Sequence, residues 1–274
     1  LNDKYAYINH SGEMLAPGWI MVPHNLSRQS IQQTNRLNVN CPQNIDFEEG
    51  SFNRWQCFTG VVVPPSFDHI SGVALGGVHG NSSTSNNEAI INPSVPTAFR
   101  HKLIQNNRGV NLDPYGLFNI NPPDGSNYCL KLGSDIEINY LDQRFGVYRI
   151  GPGANAEAVE YTLTVPPASD GDFSLTYQYA VVFEDPLDHQ FDEKPRFKVE
   201  IINTANNQPV DCGKIEYVAQ PNIPGFILAP NASSSNTDVW FKPWSKVFIN
   251  LTPYANKTLK LRFTTADCTK GGHW

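Results

Sequence analysis

Short runs of branched and aromatic residues, separated by turn-forming ones, recur along most of the chain. No apolar stripe at helical spacing lasts more than a turn or two. The clearest alternation is Val159-Glu160-Tyr161-Thr162-Leu163-Thr164-Val165, which predicts a strand with one buried and one solvated face, closed by Pro166-Pro167. Phe173 to Phe183 and Arg196 to Ile202 are the two longest strand candidates, joined by an acidic loop. Shorter runs of the same kind are Val61-Val62-Val63, Val73-Ala74-Leu75, Leu130-Lys131-Leu132 and Val147-Tyr148-Arg149-Ile150. Ile215 to Ala219, Phe226 to Leu228, Val247 to Leu251 and Leu259 to Phe263 follow toward the C-terminus. Between the last two, Pro253 fixes φ and Asn256 tolerates a positive one, so residues 252–257 predict a turn. This spacing of strands and turns predicts an all-β chain, an antiparallel β-sandwich of jelly-roll-like winding with long loops.

Leu1 to Asn40 has little periodicity beyond Trp19-Ile20-Met21-Val22-Pro23 and reads as an extended lead-in to a module over residues 41–274. A two-domain chain divided near Gly151-Pro152-Gly153 is the alternative. Two stretches predict surface loops by composition, Gly80 to Asn87 and the Asn-, Pro- and Gly-rich Asn106 to Gly125. Charged residues are only 17% of the chain, against 20 Gly and 21 Pro, which favours strands and loops over helices. A net charge of −6 with no basic cluster argues against nucleic acid as a partner. No apolar run approaches the roughly 20 residues of a membrane span, so no membrane insertion is expected.

Gly-x-Ser-x-Gly, His-Glu-x-x-His and a phosphate-cradling glycine loop are all absent from the sequence. A non-catalytic role is therefore expected, with a hydrolase whose carboxylates meet only in space as a remaining reading. The densest acidic cluster is Glu184 to Glu193, where Asp185, Asp188 and Asp192 offer hard oxygen ligands for Ca²⁺. His189 with Asp185 and Asp188 suggests, less strongly, a transition-metal or hydrolytic site. Trp240 and Trp244 lie four apart around Lys242-Pro243, and a pair of exposed aromatic faces would stack sugar rings. Burial in a sandwich core is the commoner fate of a Trp.

Three blocks together resemble a known family. They are Asp46 to Phe52 with Trp55; Tyr179-Ala180-Val181-Val182 with Asp185-Pro186, His189 and Pro195-Arg196-Phe197; and Phe241-Lys242-Pro243-Trp244, Val247, Asn250-Leu251, Tyr254 and Phe263 through Trp274. Their pattern is similar to a β-sandwich module of large secreted proteins of Bacteroidetes-type bacteria. The resemblance implies a non-catalytic adhesin or gliding-motility segment, secreted by the type IX route and displayed at the cell surface. Its partners would be neighbouring domains of the same long chain, the secretion or anchoring machinery, and a surface glycan or polysaccharide. A carbohydrate-binding module attached to a polysaccharide-degrading enzyme is the alternative. The family pattern puts a Tyr-rich strand after His273-Trp274, so the sequence is expected to be cropped before the last strand of its module.

The Phe47-Glu48-Glu49-Gly50 block with Trp55 more distantly resembles the first strand of jelly-roll carbohydrate-binding modules. That likeness implies a structural Ca²⁺ held in part by Glu48. In a secreted chain, five cysteines without C-x-x-C spacing suggest at most two bridges. Cys41 with Cys57, which flank this block, is the first pairing expected, and Cys212 with Cys268 the second.

Overall fold

A computed structural model describes residues 42–63, 67–68, 73–74, 88–133, 139–142, 147–150, 154–229, 237–268 and 273. The chain divides between Asn38 and Val39, and all of these residues belong to the second unit. The expected lead-in over residues 1–40, and Cys41, lie outside the described residues.

The strands, in chain order, are β1 (Trp55–Val63), β2 (Phe67–Asp68), β3 (Val73–Ala74), β4 (Glu88–Ser94), β5 (His101–Gln105), β6 (Tyr128–Leu132), β7 (Asn139–Asp142), β8 (Val147–Ile150), β9 (Ala154–Thr164), β10 (Ser174–Pro186), β11 (Arg196–Asn203), β12 (Gln208–Val218), β13 (Ile227–Leu228), β14 (Thr237–Asn250) and β15 (Thr258–Ala266). The only helical pieces among the described residues are single 3₁₀ turns. None is long and apolar enough to cross a membrane. Each predicted run with described residues falls in one of these strands, although β12 and β14 extend well beyond the apolar stretches that announced them.

Every ladder among the described residues is antiparallel. Six strands form one sheet in the order β12-β11-β15-β9-β1-β4, three form another in the order β10-β14-β13, and β2-β3, β5-β6 and β7-β8 pair as hairpins. Because β1 lies between β4 and β9, segments on both sides of Gly151–Gly153 share one sheet.

Period-2 alternation explains how the two main sheets face each other. On β9 the odd positions Val159, Tyr161 and Leu163 are buried, as are Leu259 and Leu261 of β15 and Val199 and Ile201 of β11. They join Leu175, Tyr179, Val181 and Phe183 of β10 and Ile249 of β14 in a single hydrophobic cluster. Even positions of β9 turn away from that core. There Glu160 accepts a hydrogen bond from the Arg262 guanidinium and an ion pair from Lys260 at 2.9 Å.

The block from Pro42 to Arg54 precedes β1 as a compact series of turns, not as a first strand. Asn44, Phe47, Gly50 and Arg54 all have positive φ. Phe47 stacks on Trp55 at 4.4 Å, and the Trp55 indole N–H donates to the Asn44 carbonyl at 2.8 Å. Gly50 is required by proximity as well as by φ, since a Cβ there would meet the Tyr128 ring at 2.8 Å. Trp55 is a core residue.

Candidate functional site

β14 runs straight through Pro243. Its ladder with β10 shifts register between Tyr179, opposite Ser245, and Val181, opposite Lys242. Pro243 and Trp244 therefore face the single residue Ala180, which is a β-bulge, and bulges are where a strand tolerates Pro. One extra residue reverses the in/out phase of the strand. Before the bulge, Trp240 pairs with the buried Phe183 and packs against the main core. After it, Val247 and Ile249 point to that core, and Trp244 and Phe248 point away. The two tryptophans thus lie on opposite faces and form no common platform, which corrects the expectation drawn from their spacing.

The outward face of β14 is covered in part by the long polar loop between β5 and β6. Its abundant Asn and Asp residues build it by bonding their own backbone. Asn106 Oδ1 accepts from the Arg108 N–H at 2.9 Å, and Asp113 Oδ1 from the Gly116 N–H at 2.7 Å. The Asn121 amide donates to the Gly109 carbonyl at 2.7 Å. Phe118 anchors the loop by stacking on Phe241 of β14 at 6.0 Å. What remains open is a groove of about 430 Å³ between Pro243-Trp244 and loop residues that include Asn106, Arg108, Asn119 and Asn121. That size is within the range of small-ligand clefts. The Trp244 indole N–H donates to the Asn119 carbonyl at 2.8 Å, which fixes the ring as one wall.

The carboxylates expected to hold calcium are placed differently. Glu48 accepts the Asn127 N–H at 2.7 Å and the Asn127 amide at 2.6 Å, tying the turns before β1 to the end of the long loop. Asp185 is fully buried at the end of β10, and Lys194 donates to its Oδ1 at 2.5 Å. Asp188 is exposed, and the side chain of Asp192 lies outside the described residues. Glu48, Asp185 and Asp188 are not brought into one group of donors.

Glu157 and Asp267 form a carboxyl pair that no local sequence motif marks. Glu157 is fully buried on the core-facing phase of β9, opposite Thr265. Asp267 follows β15 and accepts the Asn155 N–H at 3.2 Å. Arg100 Nε stands 3.4 Å from Glu157 Oε1, too far and poorly aligned to act as a strong donor. Burial first, and the neighbouring Asp267 second, push Glu157 up to about 8. Burial raises Asp267 to about 7.

His189, Cys268 and His273 do converge. One ligand atom from each lies within 4.8 Å of the others. Cys268 Sγ and His273 Nδ1 are 3.3 Å apart, and the two imidazole rings meet edge to face at 5.0 Å. His189 was singled out in the sequence, but its neighbours are this Cys and His, not Asp185 and Asp188 as a ligand set. The signal that would have found the group is Cys268-x₄-His273 read as a ligand pair in its own right.

The expected Cys212–Cys268 disulfide is not formed, and the Cys41 side of the other expected pair lies outside the described residues. Cys212 is an exposed free thiol at φ 57 in an irregular part of β12, so it forms no bridge to Cys268, which is buried beside His273. Cys57 is free and packed in the core, where burial raises its thiol to about 11, and its expected partner Cys41 lies outside the described residues. Compared with known proteins, the chain matches no family model, no curated protein and no solved structure.

Proposed function

We propose that this chain is a non-catalytic, jelly-roll-like binding module of a secreted cell-surface protein, and that its ligand is a surface glycan held in the Trp244 groove. The observation that carries this reading is the bulge at Pro243-Trp244, which turns one aromatic ring out of the core toward a loop of amides and a guanidinium. Saccharides need that combination. Their axial C–H faces pack on a π surface, and their hydroxyls exchange hydrogen bonds with Asn and Arg side chains. The sequence resemblance supports surface display by type IX export and a role in adhesion or gliding. The same groove serves equally a module that tethers a polysaccharide-degrading enzyme, and the neighbouring domains decide between the two.

Affinity electrophoresis through gels cast with a panel of bacterial and plant polysaccharides tests the reading. The wild-type chain should be retarded by at least one of them and Trp244→Ala by none. No retardation on any polysaccharide, or equal retardation of Trp244→Ala, would contradict it.

A further inference from the structure

The geometry of His189, Cys268 and His273 points to a metal centre, and we infer that these three side chains hold one divalent transition-metal ion of the zinc type. A tetrahedral zinc has Zn–S near 2.3 Å and Zn–N near 2.0–2.1 Å, so adjacent N and S donors stand roughly 3.5 Å apart. Cys268 Sγ and His273 Nδ1 already stand at 3.3 Å, and all three donor atoms fall within 4.8 Å. The imidazoles cross at 78°, an arrangement in which ring edges can converge on one point instead of stacking.

Backbone structure brings the donors in from two directions. The Cys268 N–H donates to the His273 carbonyl at 2.9 Å, which holds these two ligands side by side. His189 arrives from the turn after β10, where its N–H donates to the Pro186 carbonyl at 3.3 Å. The chemistry selects the ion. One thiol and two imidazoles are borderline-soft donors that suit zinc, whereas calcium and magnesium require oxygen. Asp185, four residues before His189, is not in the group, and its Oδ1 pairs with Lys194.

A reactive Cys–His pair is the competing use of the same atoms. It needs a sulfur that a substrate can reach, and Cys268 is 0% exposed. It also assigns no part to His189, itself only 8% exposed. An ion at this point would have a structural consequence. β10 belongs to the three-stranded sheet and β15 to the six-stranded one, so the ion would clamp the two layers together. Three protein ligands leave a tetrahedral ion one position for water or another donor.

The test uses the full 274-residue chain, purified without a polyhistidine tag. Elemental analysis should find close to one zinc per chain. Removing it with a chelator should lower the melting temperature, and zinc at about a hundredfold over its Kd should restore some 5 to 10 °C. Cobalt in place of zinc should give an intense thiolate-to-metal absorption band that Cys268→Ser abolishes. Since Cys268 is buried and its variant can fail to fold, His273→Ala at a partly exposed position serves as a second probe. It should keep the far-ultraviolet β spectrum of the wild type and lose stoichiometric metal. Sub-stoichiometric zinc with no melting shift, a cobalt band that survives Cys268→Ser, or metal retained by His273→Ala would overturn the assignment, as would preference for calcium or copper over zinc.

Discussion

Glu157 holds its proton because burial and the neighbouring Asp267 outweigh the Arg100 guanidinium. The folded protein therefore binds a proton that the unfolded chain releases above about pH 4.5. Its contribution to stability is complete below that value and is lost as pH rises toward about 8. Urea midpoints should accordingly decline between pH 5 and 8.5, by a free energy on the order of 2–4 kcal/mol. Glu157→Gln, which keeps the shape without the ionisation, should make that decline shallower, the remainder coming from Asp267, which burial also raises. An unchanged slope in the variant would place the titration elsewhere. Glu157 was legible in principle, since it keeps the phase of Val159, Tyr161 and Leu163. Density of acidic residues drew attention instead to the Glu184–Glu193 loop, where Asp185 proves to be paired with Lys194 and Asp188 solvated. Likewise Glu48 suggested a metal ligand, but its oxygens satisfy an Asn127 amide and backbone N–H that are remote in sequence.

At the scale of elements, alternation made the strands readable because one face of each is buried against the other sheet. The Pro243-Trp244 bulge was not readable, because a register shift depends on which residue of β10 stands opposite. Spacing alone put Trp240 and Trp244 on one side. The bulge puts them on two. The long loop was recognised from its Asn, Pro and Gly content, and its seat on β14 rests on Gly116. A Cβ there would meet Phe118 at 2.7 Å and Phe241 at 2.9 Å. Gly116→Ala should therefore cost about 1–3 kcal/mol by overpacking, read as a lower urea midpoint. It should also weaken retention on polysaccharide, because the displaced loop forms the polar side of the groove. Undiminished stability in this variant would mean that the loop yields without consequence.

For the whole molecule, the sheet order β12-β11-β15-β9-β1-β4 pairs strands far apart in the chain, and nothing in a local pattern encodes that order. What does follow from the pattern is a shared core between the two layers. Ile201 and Leu259 lie at its centre with no exposed surface. Leu259→Ala should destabilise by about 2–5 kcal/mol and lower the urea midpoint with an unchanged m-value, as expected when only native packing is lost. A loss under 1 kcal/mol would mean that this core does not join the layers. The expected Cys212–Cys268 bridge was misplaced for a related reason. Pairing is a property of space, and Cys212 is exposed and unbridged whereas Cys268 is buried beside His273. If Trp244 lines a ligand groove while Trp240 faces the core, the fluorescence of the two rings reports it most directly. Trp240→Phe and Trp244→Phe would each be titrated with oligosaccharide prepared from a polysaccharide that retards the wild type. Trp240→Phe should keep the ligand-induced change in emission and Trp244→Phe should lose it. Loss in Trp240→Phe with retention in Trp244→Phe would contradict the account.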